Sequence, residues 1–146
     1  MSWVWSVLLS HSNEELWRDG VEQPQKICEP VKRINRWIPN GRLVSLVGPT
    51  YATNAGNGID ANLFGGGFKH FDIDGFIELV EAQNWKERKK VQLWVKGAEE
   101  GMGEGPFRLI KLRRRHVVDS TEFKPKTLAE LRRGVPLYIK KRHARR

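Results

Sequence analysis

The chain has 146 residues, 39% hydrophobic and 29% charged, enough to enclose one core without disulfides or a structural metal, so it is expected to fold and not to stay disordered. Its single cysteine, Cys28, can form neither an internal disulfide nor a Cys-x-x-Cys pair, so the expected setting is reducing and cytoplasmic. The net charge of +9 is unevenly spread: residues 1–110 hold 13 Lys/Arg against 14 Asp/Glu, whereas residues 111–146 hold 13 against 3.

The chain opens on "MSWVWSVLLSHSNEELW", which has no basic n-region and an apolar run of only about seven residues, against the ~20 that cross a bilayer. A soluble protein that is neither exported nor membrane-bound is expected. Within this stretch Trp3 to Ser10 is short, aromatic and β-branched, and reads as a strand, buried on both faces. The following "HSNEELWRDGVEQPQ" breaks at Gly20 and Pro24 and reads as a loop with one helical turn near Glu14. "EPVKRINRWIPNG" places Pro30 at a helix start, spaces Val31, Ile34 and Ile38 for one face, and stops at Pro-Asn-Gly. "RLVSLVG" reads as a strand, and "PTYATNAGNG" is too rich in Gly, Asn and Thr to be regular.

"IDANLFGGGF" alternates Ile59, Ala61 and Leu63 with Asp60 and Asn62, so a strand leads into three glycines. Asp72 then caps a helix with Ile73, Phe76, Ile77 and Val80 at i, i+3, i+4 and i+7; Phe71 and Phe76 occupy the positions of a hydrophobic staple. In "KKVQLWVKG", Val91, Leu93 and Val95 share one face of a strand and Gln92, Trp94 and Lys96 the other. A hairpin loop, "AEEGMGEG", leads to a strand in "PFRLIKL", and the tail holds a short helix in "KTLAELRRG" and a strand in "VPLYIKK". The order β-α-β-β-α-β-β predicts an α+β fold of ferredoxin-like (split βαβ) plan, with a mostly antiparallel sheet, two helices on one face, an extra C-terminal hairpin strand and a basic tail. Residues 1–112 form the expected core domain and 113–146 a basic extension.

The stretch "NLFGGGFKHFDIDGF" invites three chemical readings. A phosphate cradle fails, because Gly67-Phe68-Lys69-His70 departs from Gly-Lys-Ser/Thr and "GMGEG" near Gly101 precedes a strand instead of a helix. A metal site built on His70, Asp72 and Asp74 competes with the capping role of Asp72, and His11, His116 and His143 lack ligand spacing, so no metal and no cofactor are expected. Against the RNA-recognition signature, basic-Gly-aromatic-Gly/Ala-Phe-aliphatic-x-aromatic, "FGGGFKHF" matches at Gly65, Gly67, Phe68 and Phe71. It lacks the basic residue, the first stacking aromatic and the aliphatic, and the chain is assigned to no family. The structural reading is preferred: the glycines end a strand with a bulge or allow a helix or loop to pack closely over the sheet.

Six tryptophans are many for this length, and core packing explains Trp3, Trp5, Trp37 and Trp85. Trp94 differs, because it falls between Gln92 and Lys96 on the polar face of its strand; it is a candidate partner contact, with burial under the tail the competing explanation. The tail clusters Lys111, Arg113, Arg114 and Arg115, then Arg132 and Arg133, then Lys140, Lys141, Arg142, Arg145 and Arg146. Arginine forks suit phosphate oxygens, and with only Phe123 and Tyr138 interleaved the expected contact is electrostatic and weakly sequence-selective. The expectation is a non-enzymatic binding protein whose basic C-terminal segment docks an acidic partner, nucleic acid or a nucleoprotein first. A dedicated protein-binding inhibitor, of the kind represented by immunity proteins and phage-encoded inhibitors, comes second. A small enzyme using the Gly65 to Asp74 turn, with His70 as base, comes third.

Overall fold

The computed structural model describes residues 3–18, 20–22, 27–47, 61–99, 106–113 and 127. In chain order these form β1 (Trp3–His11), a 3-10 turn (Asn13–Leu16), β2 (Trp17–Arg18), β3 (Val21–Glu22), α1 (Glu29–Trp37), β4 (Val44–Ser45), β5 (Asn62–Lys69), α2 (Ile73–Ala82), a second 3-10 turn (Arg88–Lys90), β6 (Gln92–Glu99) and β7 (Arg108–Ile110). Five strands make one sheet in the order β4-β5-β1-β6-β7, and β2 and β3 pair separately. Every pairing is antiparallel, and β1 lies at the centre between β5 and β6. The protein is thus a mixed α+β fold built on a five-stranded antiparallel sheet and two helices.

Alternation along the strands decides which face is buried. Trp5, Val7 and Leu9 of β1, Phe64 and Phe68 of β5, Leu93 and Val95 of β6 and Ile110 of β7 point inward, where they join Val31, Ile34, Phe76 and Val80 of the helices in one core. The opposite side of β1, formed by Val4, Ser6, Leu8 and Ser10, is only half-buried, so the expectation that β1 is buried on both faces does not hold. The side chain of Trp3 lies outside the described set.

Helix α2 begins as its sequence requires. The Asp72 carboxylate accepts a hydrogen bond from the Gly75 backbone N–H at 3.0 Å, and the rings of Phe71 and Phe76 close the staple at 5.3 Å between centroids. Gly75 stands where a Cβ would lie 2.4 Å from the Asp72 carboxylate, so its bareness lets the cap close. The other end carries no basic residue in its last turn, and Arg88 supplies the missing charge from outside. Its guanidinium donates to the carbonyls of Glu81 (2.7 Å) and Gln83 (2.8 Å), while the Trp85 indole N–H donates to the Val80 carbonyl (2.8 Å). In α1, Pro30 is the second helical residue and the helix ends one residue before Ile38, ahead of Pro39.

Three local expectations change. The segment after Leu16 is not plain loop, since Trp17–Arg18 pairs with Val21–Glu22 around Gly20, which takes a positive φ of 77°. The strand expected over "RLVSLVG" narrows to Val44–Ser45. No bulge ends β5: the strand runs through all three glycines, with Leu8, Val7 and Ser6 facing Gly65, Gly66 and Gly67 in unbroken register. The expected helix in "KTLAELRRG" and strand in "VPLYIKK" lie outside the described residues, Thr127 aside.

Candidate functional site

The outward face of the sheet follows from register. One row crosses all five strands: Val44 opposite Gly65, Gly65 opposite Leu8, Leu8 opposite Trp94, and Trp94 opposite Leu109. On the row beside it, Ser6 separates Gly67 from Lys96, and the Lys96 ammonium lies 5.5 Å from the centroid of the Phe107 ring. Of the large hydrophobic residues that stay exposed among the described residues, Val44, Leu46, Phe107 and Leu109 all belong to this face or its rim; Trp17 and Val21 lie elsewhere. Scattered exposed apolar residues need no explanation, but these four share one sheet face and its rim.

Charge distinguishes the same face. Its outward positions on β1, β5 and β6 include Val4, Ser6, Leu8 and Ser10; Leu63, Gly65, Gly67 and Lys69; and Gln92, Trp94 and Lys96. Lys111 follows β7 one step beyond Ile110 and is exposed. Lysines thus stand on three strands or their extensions, and these outward positions include no Asp or Glu.

The three glycines set the relief of this surface. A Cβ on Gly65 would lie 2.7 Å from Leu46 Cδ1 and 3.1 Å from Leu8 Cδ2, so its absence lets Leu46 fold across β5. Gly66 faces the other way, and the Phe68 ring lies across it, 2.6 Å from where a Cβ would stand. Gly67 faces outward into open space. Leu46, in the segment that follows β4, thus packs over β5 on one side, while the space at Gly66 is taken by the ring of Phe68 from β5 itself. The aromatics of "FGGGFKHF" are no stacking platform: Phe64 and Phe68 are 4% and 7% exposed and belong to the core, so the outward rings come from Trp94 and Phe107.

Trp94 lies on the outward row between Leu8 and Leu109 and is half-buried, while Lys111 is exposed. Arg113 is tied to the body through its backbone, whose N–H donates to Glu81 Oε2 at 2.6 Å. Arg114, Arg115, Arg132, Arg133, Lys140, Lys141, Arg142, Arg145 and Arg146 lie outside the described residues. At the Gly65 to Asp74 turn, His70 is exposed in the left-handed region at φ 53°, whereas Asp72 is buried and engaged as a helix cap. Among the described residues no group of three or more His, Cys, Asp or Glu is placed to hold a metal ion, and no helix is long and apolar enough to cross a membrane.

Sequence reasoning missed two polar constructions. His11 and Cys28, far apart in the chain, meet in the core: Nδ1 of His11 lies 2.7 Å from the Ser12 carbonyl and Nε2 lies 3.7 Å from the Cys28 sulfur. A carbonyl only accepts, so Nδ1 carries the proton and Nε2 is left to accept from the thiol. The ring is stacked on Phe64 and Trp85. Burial lowers the His11 pKa and pushes the Cys28 thiol up from 9.0 to about 11, which keeps both groups neutral and the sulfur a poor nucleophile. The second construction is Glu15, whose buried carboxylate accepts from the backbone N–H groups of Lys86 (2.9 Å) and Glu87 (2.8 Å). Above that clasp, Glu15, Trp17, Glu29, Pro30, Arg33 and Lys86 line an open cleft of about 310 Å³, also bordered by Asn84. Both signs of charge share this cleft, so it selects no single ligand class. No family model, curated protein or solved structure matches the chain.

Proposed function

We propose that the protein works by binding, with its basic C-terminal segment docking an acidic partner, and that this partner is nucleic acid. The observation that carries the reading is the charge split, net −1 over residues 1–110 against +10 over residues 111–146. The face of the sheet adds to it, because its described outward positions bear lysines and no Asp or Glu, so attraction by the tail delivers the partner to a surface of compatible sign. The cytoplasmic setting and the division into a 1–112 core and a 113–146 extension belong to the same proposal. So does the ferredoxin-like plan, which is supported by the position of β1 between β5 and β6 with β4 beyond β5.

The test keeps the chain full-length, since Ile110 is buried and Arg113 bonds to Glu81. Arg114, Arg115, Arg132, Arg133, Lys140, Lys141, Arg142, Arg145 and Arg146 are replaced by glutamine, and binding to duplex and single-stranded oligonucleotides is followed across a salt series. Each phosphate left unneutralised should flatten the slope of log K against log salt by about 0.9 on duplex. Unchanged affinity and slope reject the proposal. The exposed apolar residues Val44, Leu46 and Leu109 favour a second reading, a protein-binding inhibitor, and a one-to-one protein complex that ignores salt would decide for it.

A further inference from the structure

Resting on that reading, we infer that the outward face of the sheet is a stacking platform for unpaired bases, so that the acidic partner is single-stranded nucleic acid. The juxtaposition that carries this is the Trp94 indole on β6 and the Phe107 ring at the entry to β7, with Lys96 beside Phe107 and Lys69 at the far end of β5.

A duplex shows a protein its phosphates and its groove edges, while its base faces are hidden in the stack. An antiparallel sheet face lined by Val44, Leu8, Trp94 and Leu109 offers a duplex nothing for those apolar groups to meet. An unpaired strand exposes flat π-faces between its charges, and it can place bases on the rings and phosphates on the lysines together. The glycines make room for it. Gly67 is exposed with nothing within 4 Å of where a Cβ would stand, so no side chain crowds β5 at that position.

Charge favours an anionic occupant: Lys69 stands on this face, and residues 111–146 add a net charge of the same sign, +10. The two surfaces then divide the work: the tail supplies salt-dependent attraction to any nucleic acid, and the sheet face discriminates strands with free bases.

The experiment uses the full chain with a labelled oligothymidylate and a hairpin duplex of equal nucleotide number, followed by fluorescence anisotropy. Trp94→Ala and Phe107→Ala should each lower affinity for the single strand about fivefold or more, leaving duplex affinity unchanged. Trp94→Phe should keep most of the single-strand affinity, because a smaller ring still stacks. Lys69→Gln should flatten the single-strand salt slope by about 0.7. Circular dichroism and urea midpoints establish that each variant is folded, and if Trp94→Ala is not, Phe107→Ala and Lys69→Gln carry the test. A folded ring variant that binds the single strand as tightly as the parent overturns the inference and leaves the tail reading standing. An equal loss on single strand and duplex does the same. Failure of the parent to bind either oligonucleotide at low salt overturns both.

Discussion

Raising the pH above 9 should loosen this fold through one sulfur atom. Cys28 is fully buried at the start of α1, and its thiol, held up to about 11 in the folded chain, ionises near 9.0 once the chain unfolds and water reaches it. Between those two values the folded state keeps a proton that the unfolded state has lost, so stability falls as pH rises. The contribution is complete below pH 9 and gone above about 11. Two pH units correspond to about 3 kcal/mol, a large share of the roughly 5–15 kcal/mol that holds a domain together. The measurement is the urea midpoint from pH 7 to 11.5 for the parent and for Cys28→Ala. The variant is weaker at neutral pH, because it leaves a small void and removes the donor to His11, but it should lose less as the solution becomes alkaline. Lysine and tyrosine ionisations occur in both chains and cancel in the difference. Parallel curves for parent and variant would refute the argument, as would ready alkylation of the thiol in the native protein at pH 8.

Acid acts on the other half of the pair. Because burial lowers the His11 pKa, its contribution to stability is complete above about 6.5 and lost as pH falls below that value, and His11→Gln should flatten the pH dependence of the urea midpoint between 7 and 5; equal slopes would contradict this. Gly97→Ala should cost about 1–3 kcal/mol in chemical denaturation, because the new methyl would stand 2.6 Å from Trp5 Cζ3, whereas Gly67→Ala enters open space and should cost nothing; similar losses in both would count against the packing described. Glu15→Ala should destabilise by about 1–3 kcal/mol, since it strips two part-buried N–H groups of a charged acceptor, and the loss should appear first as faster hydrogen exchange at Lys86 and Glu87.

The sequence announced α2 most clearly, since cap, staple and helical spacing all act within a few residues and need no help from the rest of the fold. Strand β6 was legible for the related reason that its alternation records which face is wet, whereas the aromatic and aliphatic run of β1 announced a strand but hid its half-buried side. Two-residue strands carry no periodicity, so β2 and β3 left no trace, and β4 could not be told from its flanks. Trp94 was legible as outward-facing from its place between Gln92 and Lys96. Its companions Leu8, Leu109 and Val44 were not, because cross-strand neighbours depend on register, and register is set by pairings distant in sequence. A signal for His11 did exist: it falls on the same parity as Trp5, Val7 and Leu9, and so had to point inward. Nothing local could reveal that Cys28 would meet it there.

The three glycines show how parity turns one composition into separate functions. In a strand each residue answers to a different face from its neighbour, so a Gly-Gly-Gly run at the sheet centre cannot be one device. The middle glycine serves the core, where the Phe68 ring uses the space a Cβ would have filled. The outer two serve the opposite face, one by receiving Leu46 and the other by standing bare beside Ser6. A bulkier residue at Gly65 would meet Leu46, but at Gly67 it would enter open space and improve local strand propensity, which glycine weakens, so the bareness of Gly67 has a cost that packing does not require. A face kept flat at its centre, apolar along one row and cationic at its margins is consistent with a partner that is itself flat, apolar in patches and anionic between them.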